Sequence, residues 1–562
     1  NPLTREQIES LVQEGRVVEL RRRLCSRMTF GTAGLRAAMG AGFARINDLT
    51  IIQSTQVGPG LQYAIDSSQL AKLTAAVMLC KDVPVYLFST YVPTPFVPYA
   101  VMKYGAAAGV MITASHNRKE DNGYKVYWHN GAQIASPHDK EILHCIEESA
   151  EPWAESWNED LVENSLLKRD PLEDVCHWYM EELNTLCFHR ELNAKSPLKF
   201  VHSSFHGVGH NYVQRAFQQF GFPPPIPVPE QKDPDPDFST VSCPNPEEGE
   251  SVLELSLRLA EREEARIVVA TDPDADRLAV AEQNDNCGWK VFTGNELAAL
   301  LGWWMLFNWK EAHPDPADTE RVYMLATTVS SKILEAFARI EGFHFEETLP
   351  GFKWIGNRIH ELKKAGKEVI FSFEESIGFL CGNMVLDKDG VSTAAVVAEM
   401  ASYLHTKNLS LNQQLCNIYE IYGYHISRTS YVLCNDPPTI HRIFSRLRNF
   451  GGQGVYPTSC GDYCITHIRD VTTGYDSSQP DKKCVLPLSK SSQMLTFTFQ
   501  NGIVATLRTS GTEPKIKYYT EFCASPGERD ISSLDEELRK VAAALVEEFL
   551  EPDKNDLLGR SV

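Results

Sequence analysis

Six short apolar runs most constrain what this chain can become: Val83 to Phe88, Gly109 to Ile112, Leu198 to His202, Arg266 to Ala270, Val322 to Leu325 and Val369 to Phe373. Each leads into a polar or glycine-containing loop, and most are followed by a helical pattern. Strands that are continuously apolar must be covered on both faces, and strands alternating with helices build parallel sheets between helical layers. Ligands in such sheets gather at the carboxyl ends of the strands, so the loops after these runs are where chemistry is expected.

The chain has 562 residues, too many for one core, and about 100–200 residues per domain suggests three to five domains. Thr4 and Gln7 suit a capping box ahead of Ile8, Leu11 and Val12, predicting an opening amphipathic helix. Pro223 to Pro229 and the polar run Glu230 to Glu250 read as an extended connection. Near Tyr422-Gly423-Tyr424 the pattern shifts to shorter strands and turns, an α+β final domain. It closes with a helix capped by Ser533 and Glu536, whose stripe Leu534, Leu538, Val541, Leu545 and Phe549 is core. Leu297 to Phe307 falls short of the ~20 residues that span a bilayer and reads as a buried helix.

With 54 Lys+Arg against 74 Asp+Glu, the net charge of −20 repels phosphodiester backbones and anionic lipid. Nucleic acid and membrane are therefore excluded as partners, oligomerisation is not implied, and any bound phosphate needs a local basic cluster. Fourteen cysteines without a CxxC pair fit a reduced, cytosolic protein. The chain opens on Asn1 rather than Met, so the lack of a targeting segment says little.

Four loops carry chemistry. After Gly109 to Ile112 comes Thr113-Ala114-Ser115-His116-Asn117, which presents one hydroxyl beside an imidazole. After Ile267 to Ala270 comes Thr271-Asp272-Pro273-Asp274-Ala275-Asp276-Arg277. On an extended loop its three carboxylates point to one side, tolerable only around a cation or proton, and oxygen ligands of this kind select Mg²⁺. An acidic surface turn is the bland alternative. Asp233-Pro234-Asp235-Pro236-Asp237 repeats the spacing without a strand to deliver it and is assigned no metal. Glu374-Glu375-Ser376-Ile377-Gly378 suits a polyhydroxylated ligand or, equally, a helix N-cap cluster. Arg508-Thr509-Ser510-Gly511-Thr512-Glu513-Pro514-Lys515-Ile516-Lys517 reads as a phosphate cradle rather than an ordinary basic turn. In Thr348-Leu349-Pro350-Gly351-Phe352-Lys353, Lys353 either reaches a ligand phosphate or snorkels. Metal beside serine, with a separate phosphate cradle, implies phosphoryl transfer through a phosphoserine.

These four loops, in this order, resemble the signatures of the α-D-phosphohexomutase superfamily over nearly the whole chain. Gly31 to Arg36, Asp121 to Trp128 and Gly351 to Gly356 resemble its phosphoglucomutase-2 branch, which holds phosphopentomutases and glucose 1,6-bisphosphate synthases. Arg118, where the mutases typically have Pro, is similar to the synthase side. The resemblance implies three related α/β domains and a C-terminal TBP-like α+β domain around a central cleft, bounded as 1–190 (phosphoserine), 191–312 (metal), 313–424 (sugar) and 425–562 (phosphate). It implies Ser115 as the phosphorylated residue, sharing Mg²⁺ with Asp272, Asp274 and Asp276. Arg36, His116 and Lys125 lie around it, and Lys388 or His116 acts as general base. It implies that Arg277, Thr348, Gly351, Lys353, Glu374 and Ser376 contact the sugar phosphate, and that Arg508, Ser510, Gly511, Thr512 and Lys517 hold its non-reacting phosphate. The implied reaction moves a phosphoryl group from 1,3-bisphosphoglycerate through Ser115 to glucose 1-phosphate or another hexose monophosphate. Phosphopentomutase or phosphoglucomutase turnover is the alternative. One departure stands out: after Gln56 the family's helix–strand unit is reduced to Val57 to Gln69, so either the Ser115 sheet re-pairs or unpaired backbone destabilises it, which motivates an impaired, binding-only protein as a third possibility.

Overall fold

The computed structural model describes all residues except 1, 31–33, 57–62, 66–68, 242, 287, 435, 490–491, 511–514, 529 and 560–562, and of 63–65 the backbone alone. Two compact units emerge, one formed by Asn1–Leu325 with Gly351–Gln414, the other by Ala326–Pro350 with Leu415–Val562. All six apolar runs form strands: Val85–Leu87, Ala108–Ile112, Phe200–Ser203, Ile267–Thr271, Val322–Thr327 and Glu368–Glu374.

In the first unit, Ala108–Ile112 is buried along its whole length. It pairs antiparallel with Asp121–Trp128 and parallel with Tyr63–Ile65. The latter strand also pairs parallel with Val85–Leu87. Of the two outcomes open after Gln56, the sheet re-pairs: three residues restore the ladder on the strand that leads to Ser115, and its backbone groups are paired there. A second sheet centres on Ile267–Thr271, again wholly buried, parallel to Phe200–Ser203 and antiparallel to Leu278–Gln283. Further along, Glu368–Glu374 forms a hairpin with Gly378–Cys381. Helix Gly294–Ala312 contains the apolar run from Leu297 and is mostly buried, with Thr293 and Glu296 closing a capping box.

The second unit carries an antiparallel eight-stranded sheet. Its central strands Ile503–Thr509, Lys515–Cys523 and His425–Leu433 are consecutive neighbours. Helices Pro437–Arg448 and Ile531–Ala544 contribute to its core, where Leu534, Leu538, Val541, Leu545 and Phe549 are buried as expected. The cap differs. Asp530 accepts from Ser533 N, because the helix begins at Ile531 and Ser533 already lies inside it. At the opposite end, helix Pro2–Gln13 starts before Thr4 and buries no residue, so Thr4 lies inside the helix rather than at its N-cap. Among the described residues no helix is long and apolar enough to cross a membrane.

Candidate active site

The Ser115 loop is fixed by the strands beside it. Thr113 N donates to Gly123 O, and a Cβ at Gly123 would lie 2.2 Å from Thr113 O, so only glycine lets the two segments approach this closely. Ser115 has φ +57°, unusual for a side-chain-bearing residue, and its N–H donates to Thr113 Oγ1. The result is a hydroxyl turned toward the acidic loop: Ser115 Oγ donates to Asp272 Oδ2 over 2.7 Å and lies 3.1 Å from His116 Nδ1.

The triad is not on an extended loop. Ala275, at φ +56°, closes a turn in which Ala275 N donates to Asp272 O, and this turn rather than strand alternation brings the carboxylates together. One oxygen from each of Asp272, Asp274 and Asp276 lies within 4.8 Å of the others, and all three residues are buried. Lys125 Nζ donates to Asp274 Oδ2 at 2.8 Å and Asp276 Oδ2 at 3.0 Å. Lys388 Nζ lies 3.3 Å from Asp276 Oδ2 and 3.8 Å from Glu374 Oε1. Asp274 Oδ1 and Asp276 Oδ1 are buried without a hydrogen-bond partner among the described residues. Two orphaned carboxylate oxygens beside a third carboxylate fit a hard divalent cation.

Electrostatics follow from this packing. Burial, helped by Asp276, raises the Asp272 carboxyl above its ordinary value. Burial and Asp274 push the same way on Asp276, yet Lys125, Lys388 and Arg277 outweigh them and hold it low. Burial opposes charge on Lys388, but Asp276, Asp387 and Glu374 raise it well above an ordinary lysine, so it is a cation. Burial, reinforced by Arg277, pushes His116 down to about 3, which leaves a neutral imidazole at Ser115.

Arg277 ties three segments together: its guanidinium reaches Glu247 at 2.7 Å, Asp276 at 3.7 Å and Glu374 at 3.8 Å. Glu374 ends its strand, and 375–377 turn directly into the next one, so the helix-cap reading of this cluster does not hold. Ser376 sits in that turn. A Cβ at Gly378 would meet Lys388 Cδ at 2.3 Å; glycine there lets the lysine lie across the hairpin. Arg36 donates to Asn117 Oδ1 at 3.0 Å beside the Ser115 loop. Gly351 caps helix Phe352–Lys364; Lys353 in its first turn is buried, and burial lowers its pKa. Neither makes a described contact with the triad.

The remaining expected residues lie in the second unit. Thr348 is buried at the end of strand His344–Thr348. Arg508 and Lys517 are register partners on adjacent strands, and Ser510 N donates to Lys515 O. Gly511 and Thr512 fall outside the described residues, as do Gly31, Thr32 and Ala33.

Sequence reasoning missed several groups. Thr94 Oγ1 donates to Asp274 Oδ2 at 2.7 Å, and Thr94 N donates to Asp274 O. It follows strand Val85–Leu87, so the rule about strand ends applied to it equally. Asp387, held by Tyr127 and Gln133, orients the Lys388 loop. Glu247 was assigned to a solvated connection, but that segment folds back: Asp237 pairs with Lys119 at 3.1 Å and Cys243 Sγ donates weakly to His116 O. No local signal announced this.

Residues 62–153, 177–288 and 293–422 match domains I, II and III, each alpha/beta/alpha, of phosphoglucomutase/phosphomannomutase. The human glucose 1,6-bisphosphate synthase is 69% identical, covering 100% of this chain and 94% of that protein. The chain belongs to the α-D-phosphohexomutase superfamily. Another phosphohexomutase, human phosphopentomutase, is 55% identical over 99% of this chain and 95% of its own length. The alignment with the synthase runs over 585 positions against 562 residues here, so the relative has stretches without counterpart in this phosphohexomutase. Among solved structures, the open form of parafusin, a phosphoglucomutase from Paramecium, matches with TM-score 0.66 at 17% identity, covering 94% of this chain and 96% of that one. The shared fold is three α/β/α domains followed by a sheet-rich one.

Proposed function

We propose that this phosphohexomutase is a glucose 1,6-bisphosphate synthase acting in the cytosol, transferring phosphoryl groups from 1,3-bisphosphoglycerate through Ser115 to glucose 1-phosphate or a similar hexose monophosphate. The observation that carries it is the Ser115 hydroxyl hydrogen-bonded to a buried Asp272 within an acidic triad, in a chain whose 69% identical relatives bear that name. The proposed domains 1–190, 191–312, 313–424 and 425–562 supply, in turn, the phosphoserine, the metal ligands, the sugar contacts and the distal phosphate site.

In the first half-reaction Ser115 Oγ attacks the acyl phosphate. The P–O bond to the acyl group breaks, 3-phosphoglycerate leaves as a carboxylate, and the Oγ proton passes to Asp272 Oδ2 or neutral His116 Nδ1, the two acceptors in contact with it. In the second, a hexose hydroxyl takes the phosphoryl group and Ser115 is reprotonated. Asp272, Asp274 and Asp276 would hold Mg²⁺, which when bound supplies positive charge against the transferring phosphoryl oxygens. Lys125, Lys388, Arg36 and Arg277 neutralise the remaining charge, with Thr94 fixing Asp274. Glu374, Ser376, Thr348, Gly351 and Lys353 are assigned to the sugar phosphate, and Arg508, Ser510, Gly511, Thr512 and Lys517 to its non-reacting phosphate.

The test supplies Mg²⁺ and glucose 1-phosphate with either 1,3-bisphosphoglycerate or a trace of glucose 1,6-bisphosphate. Net bisphosphate with the first donor is expected. Rapid glucose 6-phosphate with the second alone would replace the synthase reading with a mutase, and neither product from folded protein would leave a binding protein.

A further inference from the structure

The folded-back connection borders an open surface cavity of about 680 Å³ against the residues that follow the nucleophile loop, lined by exposed Arg118, Lys119 and Glu120 and by the segment from Asp237 to Val241 with Cys243. We propose that this cavity receives the leaving-group end of the phosphoryl donor, a small acid bearing both phosphate and carboxylate, and that Arg118 is its anion anchor.

The wall is built and held. Thr240 Oγ1 bonds His206 Nε2 at 2.7 Å, Ser239 Oγ donates to Asp235, and Cys243 reaches the backbone of His116. Of the ionised groups lining it, Lys119 is already paired with Asp237. The Arg118 guanidinium has no hydrogen-bond or ion-pair partner among the described residues. A planar fork with free donors matches phosphate or carboxylate in two-point contact. Reach agrees: Arg118 lies three positions after Ser115, so their Cα atoms are at most about 11 Å apart, short enough for one small ligand to touch both. The hexose, by contrast, is assigned to other loops. A donor whose leaving group is not a hexose needs contacts of its own, and this cavity supplies them.

The inference rests on the donor named under the proposed function, so two measurements keep the failures apart. In the full chain, Arg118→Gln should raise KM for 1,3-bisphosphoglycerate about tenfold or more, with kcat and the KM for glucose 1-phosphate within about twofold, and Arg118→Lys should recover part of the loss. Turnover primed by glucose 1,6-bisphosphate should not change. Separately, 3-phosphoglycerate titrated against the resting protein by calorimetry should bind wild type and bind Arg118→Gln at least tenfold more weakly. Equal binding by both, or no binding by wild type, overturns the site; so does equal loss with both donors. Wild type that binds 3-phosphoglycerate yet forms no phosphoserine from 1,3-bisphosphoglycerate overturns the synthase reading and leaves the site standing.

Discussion

Around Ser115 opposite charges are packed inside the protein, whereas Arg508 and Lys517 set like charges side by side on adjacent strands. In the first arrangement Lys125, Lys388 and Arg277 answer much of the charge on Asp274, Asp276 and Glu374, leaving two carboxylate oxygens for a cation. Under the proposed function, the second would be balanced by the non-reacting phosphate of the ligand. On the proposed reading, one region serves a charge that moves during reaction and the other a charge that stays put.

Breaking the first region should have the largest effect. Ser115→Ala is expected to lower phosphoryl transfer by ~10³-fold or more with either donor, and intact mass should show no phosphoprotein; transfer surviving this change would end the phosphoserine scheme. The next contrast lies inside the second unit, where Glu347 is ion-paired to Lys332 and to Arg469. Burial raises its pKa, but the two cations outweigh burial and bring it to about 2. A carboxyl depressed on folding contributes stability that is present above about pH 4.5 and lost as pH falls toward 2, on the order of 3 kcal/mol. The dependence of stability on pH should therefore lose one carboxyl's share of its slope over that window in Glu347→Gln, and an unchanged slope would deny this ion-paired cluster its role. Thr94→Val, which strips one hydrogen bond from Asp274, a proposed Mg²⁺ ligand, should raise the Mg²⁺ concentration for half-maximal activity by about 10–100-fold at unchanged sugar KM. The smallest effect sharpens the second region: Arg508→Gln should raise KM for glucose 1-phosphate about tenfold while kcat stays within a few-fold, and a pure kcat effect would move Arg508 into the chemistry.

What could be read from the sequence follows the range of the forces involved. Strands such as Ala108–Ile112 and Ile267–Thr271 announce themselves because burial on both faces demands a continuous apolar run. Ser115 and the three aspartates were legible as a local cluster after such strands. Their geometry was not: convergence depends on the left-handed Ala275, and nothing in alanine signals that conformation. The capping error at Ser533 has a similar cause, since Asp530 and Ser533 are both good caps and only the helix start distinguishes them. Thr94, Asp387 and Glu247 act over separations of more than 25 residues, beyond any spacing rule. The shortened stretch after Gln56 left re-pairing and destabilisation both open, and sequence could not choose because a parallel strand needs only three residues to carry a ladder between two neighbours.

The connection from Glu230 to Glu250 has lost the freedom that linkers usually enjoy. Fastened at Asp237 to Lys119, at Cys243 to the His116 carbonyl and at Glu247 to Arg277, it has a length set by three fixed points. An inserted or deleted residue between those points would slide at least one of them off its mate. Natural variation in length should therefore be rare between 237 and 247, even though the stretch reads, letter by letter, like the most expendable part of the chain.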